Sequence, residues 1–318
     1  MAVAFPGKEI LIGETGWPSQ GRMREGALPS RTSQALVVSE ILDTAKREGF
    51  RVNLIEAYDQ PWKRQLEGTV GGYWGLFDAF QRVVKYPPGT AVSNFPSWKL
   101  QMTGGMILSA VTFLVAIVTF RRRPWKPGFL AWLTVAISAT TAGCLLGIAA
   151  DKMFYESYGI GGWLRWGALL AAATASPLLC ATAVMAGRPL PTFLELLGPR
   201  EFRGAGALTI LLGLVLAVTT IVAAETALGF VFDARYRDFP YASLTMAVVP
   251  FMSLMVLNRP QTGVRPIAES VFAGLLAASA VFIMINEGRD NWQSLWTCAI
   301  YLLLALTLWR ARAVQNPE

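Results

Sequence analysis

The chain has 318 residues, 53% of them hydrophobic, with 28 Lys/Arg against 21 Asp/Glu and a net charge of +7, a composition too apolar for an ordinary soluble domain. It contains no histidine, which excludes Ser-His-Asp and Cys-His catalysis, His-ligated metals and His-based pH switching, and leaves carboxylate chemistry as the main option. Polarity is uneven: residues 1–99 hold 12 Lys/Arg and 10 Asp/Glu while the other 219 hold 16 and 11, so a small polar N-terminal part precedes a long membrane part.

The opening "MAVAFPGKEILIGETG" lacks the basic start and long apolar core of a secretory signal. "ILIGETGWPS", residues 10–19, reads as a buried strand that runs into Glu14 and then a Gly-Trp-Pro corner. A Gly/Pro-rich loop over 19–30 leads to a helix over 31–48, where Val38, Ile41, Leu42 and Ala45 recur at helical spacing. Ser30 is placed to cap its start and Gly49 to stop it. "FRVNLIEAY", 50–58, reads as a second strand, 59–72 as an irregular polar segment, and "YWGLFDAFQRVV" as a short terminal helix. "YPPGTAVSNFPSW" is a Pro-rich linker.

Strand, helix, strand, helix is a parallel α/β pattern. Both strands end in carboxylates, Glu14 after the first and Glu56 and Asp59 at and after the second. In (β/α)₈ barrels catalytic groups sit at such strand ends, because a side chain there leaves the packed wall for a cleft. Trp17 has two readings, a flat face for a sugar ring or simple loop packing; Tyr58 and Trp74 also fit core packing, and Lys63 fits a solvated charge.

Seven apolar windows follow, over 102–120, 129–150, 163–186, 206–232, 241–257, 267–285 and 292–309. Each is near the ~20 residues that cross a bilayer as a helix. The fifth is the shortest and contains Pro250; Pro177 lies in the third. Loops 121–128, 187–205, 258–266 and the tail from Arg310 carry 11 Lys/Arg, against 4 in loops 151–162, 233–240 and 286–291. Positive residues stay in the cytoplasm, so the tail and the Arg121–Arg123 cluster are expected inside and residues 1–99 outside. Trp125, Trp132, Trp163, Trp166, Trp292, Trp296 and Trp309 lie near span ends, as in an aromatic belt. Glu269 is expected to reach the interface, whereas Glu225 lies deeper, either hydrogen-bonded to a neighbouring helix or serving transport of polymer or protons. Cys144, Cys180 and Cys298 fall in apolar stretches, with no disulfide or metal spacing. The scattered basic residues point to topology rather than nucleic acid.

"IGETGWPS" resembles the nucleophile signature of glycoside hydrolase family 17, the β-1,3-glucanases and glucanosyltransferases, and "IEAYDQPWK" and "GGYWGLF" resemble the segments that follow it. The resemblance covers residues 5–86. It implies that Glu14 is the nucleophile, at the end of the seventh barrel strand, and that Trp17, Glu56, Tyr58, Asp59, Lys63 and Trp74 line a glucan cleft. Where many relatives have Asp-Glu, this chain has Asp59-Gln60. A family-17 domain followed by several spans further resembles bacterial membrane proteins of β-(1→3),(1→6)-glucan synthesis.

The expected architecture is therefore a partial barrel over 1–86, the last βα units of a TIM-type fold, then a linker over 87–101, an all-α bundle of about seven membrane helices over 102–309 and a cytoplasmic tail over 310–318. The expected location is the bacterial inner membrane, with the N-terminal part periplasmic. A retaining mechanism needs two carboxyl groups about 5–5.5 Å apart, and the acid/base of the family lies on an earlier strand, in an Asn-Glu motif that these residues do not include. A (β/α)₈ barrel takes at least roughly 200 residues, so the polar part is expected to be incomplete and inactive by itself. The expected partners are β-glucan, the lipid bilayer and either a missing N-terminal barrel segment or a glucan synthase; no cofactor or metal is implied. The alternative reading is a non-catalytic membrane module that docks a synthase or assists glucan export. A receptor function has only the span count behind it.

Overall fold

The computed structural model describes residues 3–87, 89–122, 127–204, 206–258 and 262–315. Arg123, Trp125 and the end of the tail lie outside the described residues. The chain divides into two compact units, one of Met1–Pro96 with Arg235–Asp238 and one of Ser97–Ala234 with Phe239–Glu318.

In the first unit, β1 (Leu11–Thr15) and β2 (Arg51–Leu54) pair in parallel, with Leu11 opposite Arg51 and Ile12 opposite Val52. Helix α1 (Arg31–Glu48) connects them. Its ends follow the sequence expectation: the Ser30 hydroxyl accepts from the Ser33 amide at 3.0 Å, and Gly49 ends the helix at φ 70°, a left-handed conformation natural to glycine. Lys46 and Arg47 complement the negative end of the helix dipole. After β2 the chain forms a 3-10 turn (Pro61–Lys63), the one-turn helix α2 (Arg64–Glu67) and a second 3-10 turn (Thr69–Gly72).

The sheet among the described residues has two parallel strands, as the strand–helix–strand reading expects, and two strands do not by themselves make a TIM-type barrel. Two expectations change here. β1 is not buried: Leu11 is 62% and Ile12 37% exposed, because no further strand or helix covers them. Residues 73–84 do not form a terminal helix. Trp74 to Phe77 instead run beside Glu56–Asp59, joined by hydrogen bonds from Glu56 N to Trp74 O (3.2 Å), Leu76 N to Glu56 O (2.9 Å), Phe77 N to Ala57 O (2.9 Å) and Asp59 N to Phe77 O (3.0 Å). Gly75 makes that approach possible, since a Cβ there would lie 2.0 Å from Asp59 N. Among the described residues, the buried apolar side chains before residue 96 are Pro18, Met23, Val38 and Ala45, a small core for a unit of this length.

The second unit is a helical bundle. α3 (Trp98–Arg121), α4 (Phe129–Glu156), α5 (Gly159–Met185), α7 (Ala207–Phe232), α9 (Ile267–Glu287) and α10 (Trp292–Arg310) are each long and apolar enough to cross a membrane. α8 (Tyr241–Leu257), at 17 residues, is shorter. Its residues are mostly buried, and it packs against α4, α5 and α10. Ser176 Oγ donates to Ala247 O at 2.7 Å between α5 and α8. α6 (Phe193–Leu197) is a short helix held by a capping box of Thr192 and Glu195. Pro177 and Pro250 sit inside α5 and α8.

The polar residues of the bundle also differ from expectation. Glu269 is fully buried rather than at an interface, and its Oε1 accepts from the Phe193 amide at 2.6 Å, which fixes the start of α6. Glu225 accepts from Arg165 of the neighbouring helix α5 at 3.2 Å, in line with the hydrogen-bonded one of its two readings, although it is 43% exposed rather than buried. α4 runs six residues past its apolar window, so Lys152 and Glu156 form a buried ion pair, with the Lys152 ammonium 4.7 Å from the Tyr241 ring centre. Trp166 is buried instead of lying in an interfacial belt.

Candidate active site

Glu14 stands near the C-terminal end of β1, exposed to solvent. The corner that follows is tight. Gly16 lies so close to the end of β2 that a Cβ on it would sit 2.1 Å from Ile55 O, so only glycine fits there. Trp17 is half-buried and its indole N–H donates to Leu28 O at 3.1 Å, which pins the ring against the loop. Pro18 and Ser19, which follow it, are buried.

At the end of β2, Glu56 Oε1 accepts from Lys63 Nζ. The hydrogen bond to Glu56 raises Lys63 above the ordinary lysine range; burial opposes it, and the charges of Glu56, Glu67 and Glu14 add lesser support. Glu14, Glu56, Lys63 and Glu67 thus share one electrostatic neighbourhood, three carboxylates around one ammonium. The second oxygen, Glu56 Oε2, is buried with no hydrogen-bond partner. Tyr58 is 48% exposed, its ring 5.3 Å from that of Phe77. Trp74 is half-buried, and its ring edge approaches Gly16.

Asp59 points elsewhere. It is buried, and its Oδ1 accepts from Lys85 Nζ at 2.7 Å and from the Gly75 amide at 3.0 Å. Lys85 also donates to Ser19 Oγ at 2.6 Å. The pair therefore ties together the corner after β1, the segment after β2 and the return segment 73–77. Burial pushes the Asp59 carboxyl above the usual carboxylate range, and burial pulls the Lys85 ammonium below its own; each partner's charge offsets only part of this.

Two residues essential to this frame escaped the sequence reading. Gln34, fully buried on α1, donates from Nε2 to Trp17 O (2.8 Å), Trp74 O (3.1 Å) and Gly75 O (3.2 Å). Lys85 received no role in the sequence reading. The available signal for Gln34 was its place on the apolar stripe of α1, four residues before Val38, where a polar side chain needs buried partners. Lys85 offered no local signal, because its partner is 26 residues away. Among the described residues, no group of three or more His, Cys, Asp or Glu is arranged to hold a metal ion.

The arrangement can present an exposed carboxylate and aromatic surfaces to a polyhydroxy ligand, with a lysine-held carboxylate behind them. Comparison with known proteins agrees with that chemistry. Residues 1–75 match the model of the BtgE/BtgC glycoside hydrolase domain. "Probable beta-glucosidase btgE" of Aspergillus fumigatus is 36% identical over 75 residues, 24% of this chain and 13% of that protein. In Saccharomyces cerevisiae, "Probable family 17 glucosidase SCW10" is 33% identical over 72 residues (23% of this chain and 18% of that protein), and "Glucan 1,3-beta-glucosidase" is 35% identical over 68 residues (21% and 22%). The chain thus spans about an eighth of the first of these relatives and about a fifth of the others. No solved structure matches. The N-terminal 75 residues are thus similar to a glycoside hydrolase domain, and in this chain they precede helices long and apolar enough to cross a membrane.

Proposed function

We propose that this chain is the membrane-anchored C-terminal part of a retaining β-glucan hydrolase or glucanosyltransferase, with Glu14 as the nucleophile. The observation that carries the reading is the exposed Glu14 at the end of β1, in the charge neighbourhood of Lys63 and Glu56. A nucleophile of this class attacks the anomeric carbon, giving a covalent glycosyl intermediate; water then yields hydrolysis and a sugar hydroxyl yields transfer. Glu56 is not the acid/base. Its Oε1 accepts from an ammonium, whereas a general acid must donate a proton to the leaving oxygen. Lys63 orients Glu56 beside Glu14, and Trp17, Tyr58 and Trp74 offer flat faces to the sugar. Asp59 acts at one remove, by holding the frame through Lys85. The acid/base belongs to further βα units that pair with the exposed edge of β1, supplied by the same polypeptide or by a separate one. The first unit faces the periplasm of a bacterial inner membrane.

The test is co-production of the chain with the N-terminal barrel portion of a family-17 relative, assayed on laminari-oligosaccharides and labelled with a 2-deoxy-2-fluoroglucoside. The expected result is turnover only in the complemented sample, label on Glu14, and a loss of at least ~1,000-fold in Glu14→Gln. Label on another residue, or equal turnover by Glu14→Gln, overturns the assignment. Failure of every complementing partner favours the non-catalytic module.

A further inference from the structure

Three tryptophans precede residue 96: Trp17, Trp62 and Trp74. Trp17 and Trp74 are half-buried and give part of their surface to the frame, Trp17 through its indole N–H to Leu28 O and Trp74 through its edge against Gly16. Trp62 is different. It lies in the 3-10 turn Pro61–Lys63 and is 60% exposed. The backbone under it is nonetheless fixed. Pro61 opens the turn, and its ring sets φ there. Lys63 N donates to Gln60 O at 3.0 Å, and Gln60 N donates to Gly72 O at 3.2 Å, which ties the turn to the second 3-10 turn. The Lys63 ammonium lies over the Trp62 ring, 5.8 Å from its centre, and the same ammonium donates to Glu56 Oε1. One cation thus sets an open indole ring beside the acidic site.

We propose that Trp62 is the floor of a further sugar-binding subsite, which takes one glucose unit of a β-glucan by stacking on its flat face, next to the unit held at Glu14. A β-linked glucose ring is flat and edged with hydroxyls, and its faces carry C–H bonds that suit the negative face of an indole. Stacking removes apolar surface of both partners from water. A fixed turn makes the contact cheap in ordering, and the cation over the ring holds its orientation. An exposed apolar side chain needs no ligand to explain it; what points to one here is the place. The ring centre is 5.8 Å from an ammonium that itself touches Glu56, so a sugar on Trp62 lies about one unit along the chain from the carboxylates. The subsite therefore favours oligosaccharides over glucose. The inference rests on the β-glucan reading of the site but not on the role of Glu14 as nucleophile.

The probes are laminaritetraose, glucose and, as the α-linked control, maltotetraose, added to the whole chain in a detergent without a sugar headgroup. Binding is read by calorimetry, and cover on each ring by the rate at which N-bromosuccinimide oxidises it, mapped by mass spectrometry. Laminaritetraose is expected to bind saturably, at least about tenfold tighter than glucose, and to slow oxidation of Trp62 severalfold; maltotetraose should do neither. Trp62→Ala is expected to weaken binding about three- to tenfold, the range for one aromatic contact, with Trp62→Phe recovering part of the loss. Trp17 should oxidise at its natural rate in Trp62→Ala, which shows the frame intact, and the protection of Trp62 in the natural chain needs no variant. Absence of laminaritetraose binding, unprotected Trp62, or equal binding by Trp62→Ala overturns the subsite. Equal protection by maltotetraose overturns it too, in favour of a plain sugar surface. So does protection by a complementing barrel portion with no sugar present, since the ring then packs between polypeptides. None of these results touches the nucleophile, which the fluoroglucoside label reads separately; label away from Glu14 with Trp62 still protected overturns the catalytic reading and supports the subsite.

Discussion

Asp59 and Lys85 meet at 2.7 Å with 3% and 5% of their side chains exposed. Both shifts run toward the neutral forms, so the pair contributes position rather than stability: the cost of burial exceeds what each charge returns to the other. Removing one partner is another matter, because it strands a buried charge. Lys85→Met is expected to cost about 3–5 kcal/mol and to speed hydrogen exchange at the Gly75 amide, whereas Asp59→Asn with Lys85→Met should recover much of the loss. The pH dependence follows from the directions. Asp59 has a folded value above its ordinary 3.8, so its contribution is full below 3.8 and fades as pH rises through the folded value. Exchange protection in the natural chain should therefore increase on acidification from neutrality toward that range, relative to Asp59→Asn. An equal response in both chains would show that the carboxyl is not held as described.

At the scale of elements, α1 was legible in full, from the Ser30 cap to the Gly49 stop, because capping and periodicity are local signals. The parallel strand pair was legible as well. The return segment 73–77 was misread as a helix, since its partner is the backbone of 56–59 and not its own i−4 carbonyls. Glu14 and Trp17 stood out as candidates because one lies at the end of a strand and the other just after it. Gln34 and Lys85 could not be assigned their tasks, because their partners are set by tertiary approach. The glycines of "GETGW" and "GGYWG" separate into two kinds on the same grounds. Gly13 has nothing within 4 Å of a Cβ placed on it, but Gly75 would meet Asp59 N at 2.0 Å. Gly75→Ala should destabilise the first unit by at least about 1–3 kcal/mol, the range for overpacking, while Gly13→Ala should be neutral or gain up to ~1 kcal/mol from lost chain entropy in the unfolded state. Urea-dependent proteolysis of residues 1–96 in the whole chain reads the difference; a cost at Gly13 equal to that at Gly75 would contradict the packing.

Across the whole molecule, burial is divided unequally: the helical unit holds nearly all of the buried apolar side chains, the N-terminal unit few. The window over 241–257 was legible in its bounds but not in its role. Seventeen residues are few for a span by length, yet Ala242, Leu244, Met246, Ala247, Val248 and Phe251 are all fully buried, so the neighbours of α8 are protein rather than lipid. Small residues at such contacts let backbones approach, and Ala247 does so where Ser176 donates to its carbonyl. Ala247→Leu must therefore displace α5 or break that hydrogen bond, and is expected to cost about 1–3 kcal/mol. Ile221 on α7 is 58% exposed, and Ile221→Leu on that open face should change little. The comparison is thermal unfolding of the two variants in one detergent, followed by tryptophan emission. If Ile221→Leu loses as much as Ala247→Leu, α8 is not the packed centre of the bundle, and its shortness needs another cause.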